Sequence, residues 1–200
     1  MERIAPTASR VLISGPNGSG KELAARCIHH QSDRRDSRFI VANCARLGTE
    51  RADVELFGSD GVATSRRIVG LFEQAHKGTL YFDEVCDLSL ETQGKIVRAV
   101  AEQRFRRVGG NKEVSVDVRV ISASSRDLPA AIVEGRLRED LYYRLGVVPL
   151  SMPPLAERRE DIPHLARHFV DLVARRTGLG KVKLGDEVLS AMQGLSLIHI

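Results

Sequence analysis

No run of apolar residues in this 200-residue chain is long enough to cross a bilayer, and no signal-peptide pattern opens it. A membrane role is excluded at this level, and a cytoplasmic location is the expectation. Cysteine is scarce: Cys27, Cys44 and Cys86 form no CxxC pair. They read as small buried residues of a reducing compartment. Charge of one sign does not dominate either. The net charge is +4, and the basic pairs Arg34-Arg35, Arg66-Arg67, Arg106-Arg107, Arg158-Arg159 and Arg175-Arg176 are scattered. Scattered pairs read as solvated surface, not as a DNA-contacting stripe. Tryptophan is absent, aromatics reach only 4%, and there is no internal repeat or low-complexity stretch. What remains is an ordinary globular composition, 42% apolar and 28% charged. The length suffices for one buried core with a small appended domain.

The most telling stretch is Gly15-Pro16-Asn17-Gly18-Ser19-Gly20-Lys21. It follows the apolar run Val11-Leu12-Ile13 and opens an apolar, alanine-rich segment from Leu23 to Ile28. Strand, glycine loop and helix together make a phosphate cradle. The glycines let backbone N–H groups turn toward one point, and the helix start adds its positive dipole end. Lys21 would reach the β- and γ-phosphates of a nucleotide. The generic pattern continues with a Ser or Thr whose hydroxyl touches magnesium; here Glu22 stands in that place. Taken alone, the match is also compatible with a plain tight turn.

Phe39 to Ala42 and Thr79 to Phe82 predict short buried strands. Val114, Val116, Val118 and Val120 alternate and Ile121 continues the run, a strong strand signal carried through Ala123. Phe105 to Val108 is expected to pair ahead of it across the turn Gly109-Gly110-Asn111. Glu91 to Gln103 has helical spacing, and Asp127 is placed to cap a helix running to Glu134. Strands alternating with helices predict an α/β fold with a mostly parallel sheet covered on both faces. Pro149, Pro153 and Pro154 then punctuate the chain, and Ile162, Leu165, Phe169, Leu172 and Val173 follow a purely helical pattern. A boundary is expected near residue 152, between an α/β domain over 1–152 and a helical part over 153–196. Glu187 to Met192 predicts another helix. The ending, Leu195 to Ile200, breaks off before the helical part can close a core, so residues 197–200 read as a truncation or a non-native tail.

Leu80-Tyr81-Phe82-Asp83-Glu84 is an apolar strand ending in two acids. In a P-loop sheet Asp83 would hold magnesium and Glu84 would polarise the attacking water. Alone, two acids after a strand could equally cap a helix; beside the glycine loop they complete a nucleotide site. Two further sets read as bland. His164 and His168 share a helix face, but no Glu or Cys completes a metal site. Cys86 has no histidine positioned to activate it as a nucleophile.

Seven motifs occur in order: Gly15 to Glu22, Asn43-Cys44-Ala45, Glu55-Leu56-Phe57-Gly58, Gly78 to Glu84, Arg107-Val108-Gly109-Gly110, Arg138 to Leu145, and Pro153-Pro154-Leu155. With them the chain resembles the AAA+ ATPase domain of sigma-54-dependent bacterial transcription activators, the NtrC class, up to about residue 195. The resemblance implies a P-loop AAA+ three-layer sandwich with a small helical lid, binding ATP or ADP with magnesium. It also makes Glu22 ordinary, since the class carries Glu after the loop lysine. Asn43 is similar to the asparagine that senses the γ-phosphate and restrains the catalytic glutamate, here Glu84. Arg138 and Arg144 resemble arginine fingers that complete a neighbour's site, which implies a ring or dimer. Ser124 and Ser125 stand where the class has Thr-Asn as its first sensor; a hydroxyl is kept and the amide is lost.

The larger departure follows Gly58. The class carries a Gly-Ala-Phe-Thr-Gly-Ala loop that grips sigma-54, whereas Ser59 to Gly70 here is shorter and has no Phe. An apolar tip cannot be built from that composition, so the gripping of sigma-54 is not expected. The NtrX-type nitrogen-regulation branch is similar in this respect, and Ala5-Pro6-Thr7 and Leu71 to His76 fit it. The resemblance further implies a receiver domain addressed by an upstream kinase and a DNA-binding helix-turn-helix, both absent from this sequence. The second sensor arginine of the lid would fall just past Leu195-Ser196, where the pattern stops. Three readings stay open: an ATP-hydrolysing regulator whose nucleotide state sets oligomerisation, a conventional sigma-54 remodeller, and a non-hydrolysing nucleotide module.

Overall fold

The computed structural model describes residues 3–48, 51–61, 67–178, 180 and 182–194. In chain order the elements are β1 (Val11–Ser14), α1 (Lys21–His30), β2 (Phe39–Asn43), α2 (Ala52–Phe57), α3 (Leu71–Gln74), β3 (Thr79–Asp83) and α4 (Leu90–Glu102). There follow β4 (Arg104–Arg106), β5 (Glu113–Ser115), β6 (Arg119–Ser124), α5 (Leu128–Val133), α6 (Glu139–Leu145), β7 (Val148–Ser151), α7 (Ile162–Thr177) and α8 (Asp186–Gly194). Two compact units result, Met1–Met152 and Pro153–Ile200.

In the first unit β-branched and aromatic residues make five short strands, paired in the order β2-β3-β6-β1-β7 and parallel throughout. Parallel strands need crossovers, and the helices that supply them cover both faces. Val11, Ile13, Tyr81, Ile121 and Ala123 turn to one face and bury Ala24, Ala25 and Ile28 of α1. Leu12, Leu80, Phe82 and Val120 turn to the other and meet Ile96, Ala99 and Val100 of α4 with Leu141 and Leu145 of α6. This is a three-layer α/β sandwich.

The alternating run from Val114 to Ala123 is not one strand. Its first part pairs antiparallel with β4 as a hairpin, and only Arg119 onward enters the main sheet. The break has a local cause. Gln103, in the left-handed region at φ 54, takes the N–H of Val116 on its carbonyl and that of Val118 on its side-chain oxygen. The Asp117 N–H donates to His76 Nδ1. Side chains still alternate, but the backbone hydrogen bonds between the two strands go to Gln103 and His76.

The stems of the segment after Gly58 are tied down. Ser59 and Ile68 exchange backbone hydrogen bonds, and Asp60 N–H donates to Val108 O. Beneath them the buried Arg107 guanidinium donates to both oxygens of Glu73, at 2.8 and 2.6 Å, and to Asp60 at 3.0 Å. Residues 62–66, the middle of the shortened loop, lie outside the described residues.

In the second unit α7 begins with proline in its first turn and ends at Gly178, whose φ of 70° suits a left-handed cap. Gln193, in α8, donates to the carbonyl of Arg159. Residues 195–200, which include the expected tail, lie outside the described residues.

Candidate functional site

Three neighbouring strands, β3, β6 and β1, end side by side at the carboxyl edge of the sheet, where ligands of open parallel sheets bind. β1 delivers the glycine loop, β3 delivers Asp83 and Glu84, and β6 delivers Ser124 and Ser125. Gly15 is required by close approach: a Cβ there would lie 2.4 Å from the carbonyl oxygen of Met152. Gly20 caps α1 at φ 93, a conformation costly for any other residue. No side chain caps α1, so its first N–H groups stay available to an anion. Pro16, Asn17 and Gly18 are exposed around this mouth, while Ser19 is buried and its N–H donates to Pro16 O.

Lys21, only 6% exposed, is the cation at the centre. Its ammonium donates to the carbonyls of Gly15 at 2.9 Å and Pro16 at 3.3 Å, and lies 3.2 Å from Glu84 Oε1. All three ammonium protons therefore have acceptors. The other Glu84 oxygen, Oε2, accepts from the Ser125 backbone N–H at 2.8 Å and from its hydroxyl at 3.0 Å. Glu84 itself sits in the left-handed region, φ 55 and ψ 56, at the start of the helical turn Val85–Asp87. A non-glycine residue held there is strained, and such strain gathers at functional sites.

Asp83 ends β3 half-buried. Burial, its largest influence, raises its carboxyl above the ordinary range, and the Glu84 charge adds to that; the Tyr81 hydroxyl, donating at 3.1 Å, works the other way. Its second oxygen has no hydrogen-bond donor among the described residues. A carboxylate short of positive charge at the mouth of a phosphate cradle fits a divalent cation such as magnesium.

The remaining predicted residues lie apart from this cluster. Asn43 pairs in register with Asp83, but its side chain makes no hydrogen bond to Glu84 among the described residues. Glu22 turns to the outer face of α1 and pairs with Arg26, whose guanidinium sits over the Phe39 ring. Arg138 precedes α6 and pairs with Asp140, and Arg144 is exposed in the last turn of α6. Among the described residues neither arginine has a hydrogen bond or ion pair with Lys21, Asp83 or Glu84. Sequence reasoning missed Tyr81, Arg126 and Gln93. Tyr81 was open to discovery, since residues two apart on a strand share a face. Arg126, which pairs with Asp87 at 2.6 Å, gave no local signal.

The comparisons with known proteins agree with this geometry. The description of the sigma-54 interaction domain matches residues 1–151. The nitrogen assimilation regulatory protein NtrX of Azorhizobium caulinodans is 49% identical over 193 residues, covering 96% of this chain and 42% of that protein. The DNA-binding transcriptional regulator NtrC of Klebsiella pneumoniae is 43% identical, covering 97% of this chain and 42% of that protein. Crystal structures of NtrX from Brucella abortus superpose with TM-scores of 0.90 in complex with ADP and 0.89 in complex with ATP. Identity is 47% and 48%, over 98% of this chain and 43% and 45% of those chains. The chain thus spans under half the length of these relatives. Its glycine loop, acidic strand end and five-stranded parallel sheet are those of an AAA+ domain, and the chain belongs to the sigma-54 interaction domain family, among regulators of the NtrC and NtrX kind.

Proposed function

We propose that this chain is the ATP-binding and ATP-hydrolysing domain of a two-component transcriptional regulator, and that nucleotide state sets its oligomerisation. One observation carries the reading: the Lys21 ammonium, beside the uncapped start of α1, is met among the described residues by two loop carbonyls and Glu84. A polyphosphate, carrying several negative charges, would draw that cation away from two neutral carbonyls and a single carboxylate. The NtrX relatives solved with ADP and ATP support the choice of nucleotide. Gly15 to Glu22 would cradle the phosphates, with the glycine-loop N–H groups and Lys21 neutralising charge.

Water attacks the γ-phosphorus as the bond to the β-bridging oxygen breaks, giving ADP and phosphate. Glu84 takes the proton from that water. Asp83 would hold the magnesium ion, which when bound screens the phosphate oxygens. Arg138 and Arg144, exposed and without a contact to Lys21 among the described residues, would serve a neighbouring copy by stabilising charge on the transferred group. Residues 1–152 would form the nucleotide domain and 153–196 part of a lid. DNA and kinase contacts would belong to further domains. The Ser59–Gly70 segment lacks an aromatic tip, which argues against an apolar grip on sigma-54.

Turnover of ATP measured against protein concentration tests the reading. A rate per subunit that climbs with concentration and vanishes in Lys21→Ala is expected. Nucleotide binding without turnover at any concentration would leave the non-hydrolysing module.

A further inference from the structure

A cavity of about 460 Å³ opens between α4 and the β4–β5 hairpin and shares no residue with the site around Lys21. Its floor is apolar. Phe57 ends α2 there, Ala99 faces it from α4, and Phe105 comes from β4, with the two ring centroids 5.5 Å apart. Phe57 and Ala99 are buried and Phe105 is half-buried, whereas the charged residues of the rim are exposed. Cavities of this size, apolar below with a few polar groups above, take small molecules. We propose that this one binds a nucleoside monophosphate, separately from any nucleotide at Lys21.

The charges of the rim select the ligand. Of the cations there, two are already engaged: Lys95 donates to Asp53 and Glu91, and Arg104 lies 3.7 Å from Glu113. Arg98 on α4 and Arg106 on β4 have no hydrogen bond or ion pair among the described residues. Two spare guanidiniums match one phosphate monoester, which carries about −1.5 to −2 charges at pH 7. Their planar forks also suit its oxygens. A single carboxylate would leave one guanidinium unanswered. A second phosphate would bring charge that no further spare cation of the rim meets.

The phosphate is not the whole of the ligand. Glu102 lines the same cavity, one turn along α4 from Arg98, and has no partner among the described residues. A carboxylate can only accept, so it calls for an N–H or O–H donor. A ribose hydroxyl or a base amine supplies one, and the flat base covers the apolar floor. A ligand that is anionic throughout would be repelled by Glu102. A purely apolar one would desolvate the guanidiniums without pairing them. The nucleoside monophosphate answers all three surfaces at once. Bound there, it would bridge α4, whose Gln93 accepts the Arg138 N–H, to the strand that leads into Arg107.

Calorimetric titration of the full chain with AMP, GMP, CMP, UMP and orthophosphate tests this, beside Lys21→Ala and the double variant Arg98→Ala, Arg106→Ala. At least one of the four nucleotides is expected to bind once per chain with Kd below about 1 mM. Lys21→Ala should bind it equally well, since a monophosphate has no β-phosphate for Lys21 to reach. The double arginine variant should raise that Kd at least about tenfold, as loss of charge-assisted bonds to phosphate does, with its unfolding midpoint unchanged. If the midpoint falls, Arg98→Gln and Arg106→Gln decide singly, each raising Kd about threefold or more. The assignment is overturned by no saturable binding below about 1 mM, by loss of binding in Lys21→Ala, or by arginine variants that bind as the unaltered chain does. Orthophosphate binding as tightly as the best nucleotide would leave a bare anion site and overturn the nucleoside.

Discussion

His29 shows how much one buried side chain can do to the pH response of the fold. It is almost fully buried in α1, its Nδ1 lies 2.9 Å from the Thr79 hydroxyl, and its ring centroid is 5.3 Å from that of Phe39. Burial, foremost, lowers its pKa, and the nearby His30, Arg119 and Arg26 add to that against an opposing hydrogen bond at Ser37. The unfolded chain therefore binds this proton at a higher pH than the folded one. Stability from His29 is complete above the ordinary imidazole pKa, about 6.5, and is lost as pH falls from there through the folded value. Urea midpoints between pH 7.5 and 5.5 should decline, and His29→Gln should flatten that decline. A decline equal in the variant would assign it to other groups. His29 does not announce its role in the sequence, because it acts through Thr79, a residue brought close by strand order. The glycine loop was legible because it demands particular residues at consecutive positions. Lys21 and Glu84 were legible for the same reason, as ends of short local motifs.

Elements are where the sequence was read best and where it misled once. Strand and helix periods placed β1, β2, β3, α4 and α7 close to their observed bounds, because each follows a single period from end to end. The Val114–Ala123 run did so too, yet it is split between a hairpin and the sheet. Side-chain alternation reports burial; it does not say which backbone partner takes each N–H, and here Gln103 and His76 intervene. Gln93 is the counterpart on α4. Wholly buried, it donates to Leu88 O at 2.9 Å and Arg136 O at 2.8 Å and accepts the Arg138 N–H at 2.9 Å. It thus ties α4 to the backbone that presents Arg138. Gln93→Leu keeps the volume but strands two carbonyls and an N–H. A loss of about 2–4 kcal/mol in unfolding free energy is expected, at the usual cost of unpaired buried groups. ATP turnover should fall while nucleotide affinity holds, because the displaced group is Arg138 and not Lys21. Denaturant titration and a bound-nucleotide assay on one sample check both parts.

At the scale of the whole molecule, the proposed role of Arg138 and Arg144 makes the site incomplete in one copy. Lys21, Asp83, Glu84 and Ser125 share one edge of the sheet, whereas Arg138 and Arg144 flank α6 with Arg138 engaged to Asp140. An arginine that acted on its own copy's nucleotide would have to turn toward it, Arg138 by abandoning that pair; one that serves a neighbour need only be exposed. Mixing separates the two. Glu84→Gln keeps both arginines but lacks the base, and the double variant Arg138→Ala, Arg144→Ala keeps the base but lacks the arginines. Each alone should be nearly silent. In an equimolar mixture a site works when an arginine-less copy has a Glu84→Gln neighbour on the correct side. Random assembly then restores about a quarter of the unaltered rate, whatever the number of subunits in a closed ring. The restored rate should disappear on dilution together with the assembled species seen by light scattering. Arginines acting within their own copy would leave the mixture as silent as its parts, since no arrangement of neighbours could then supply the missing charge.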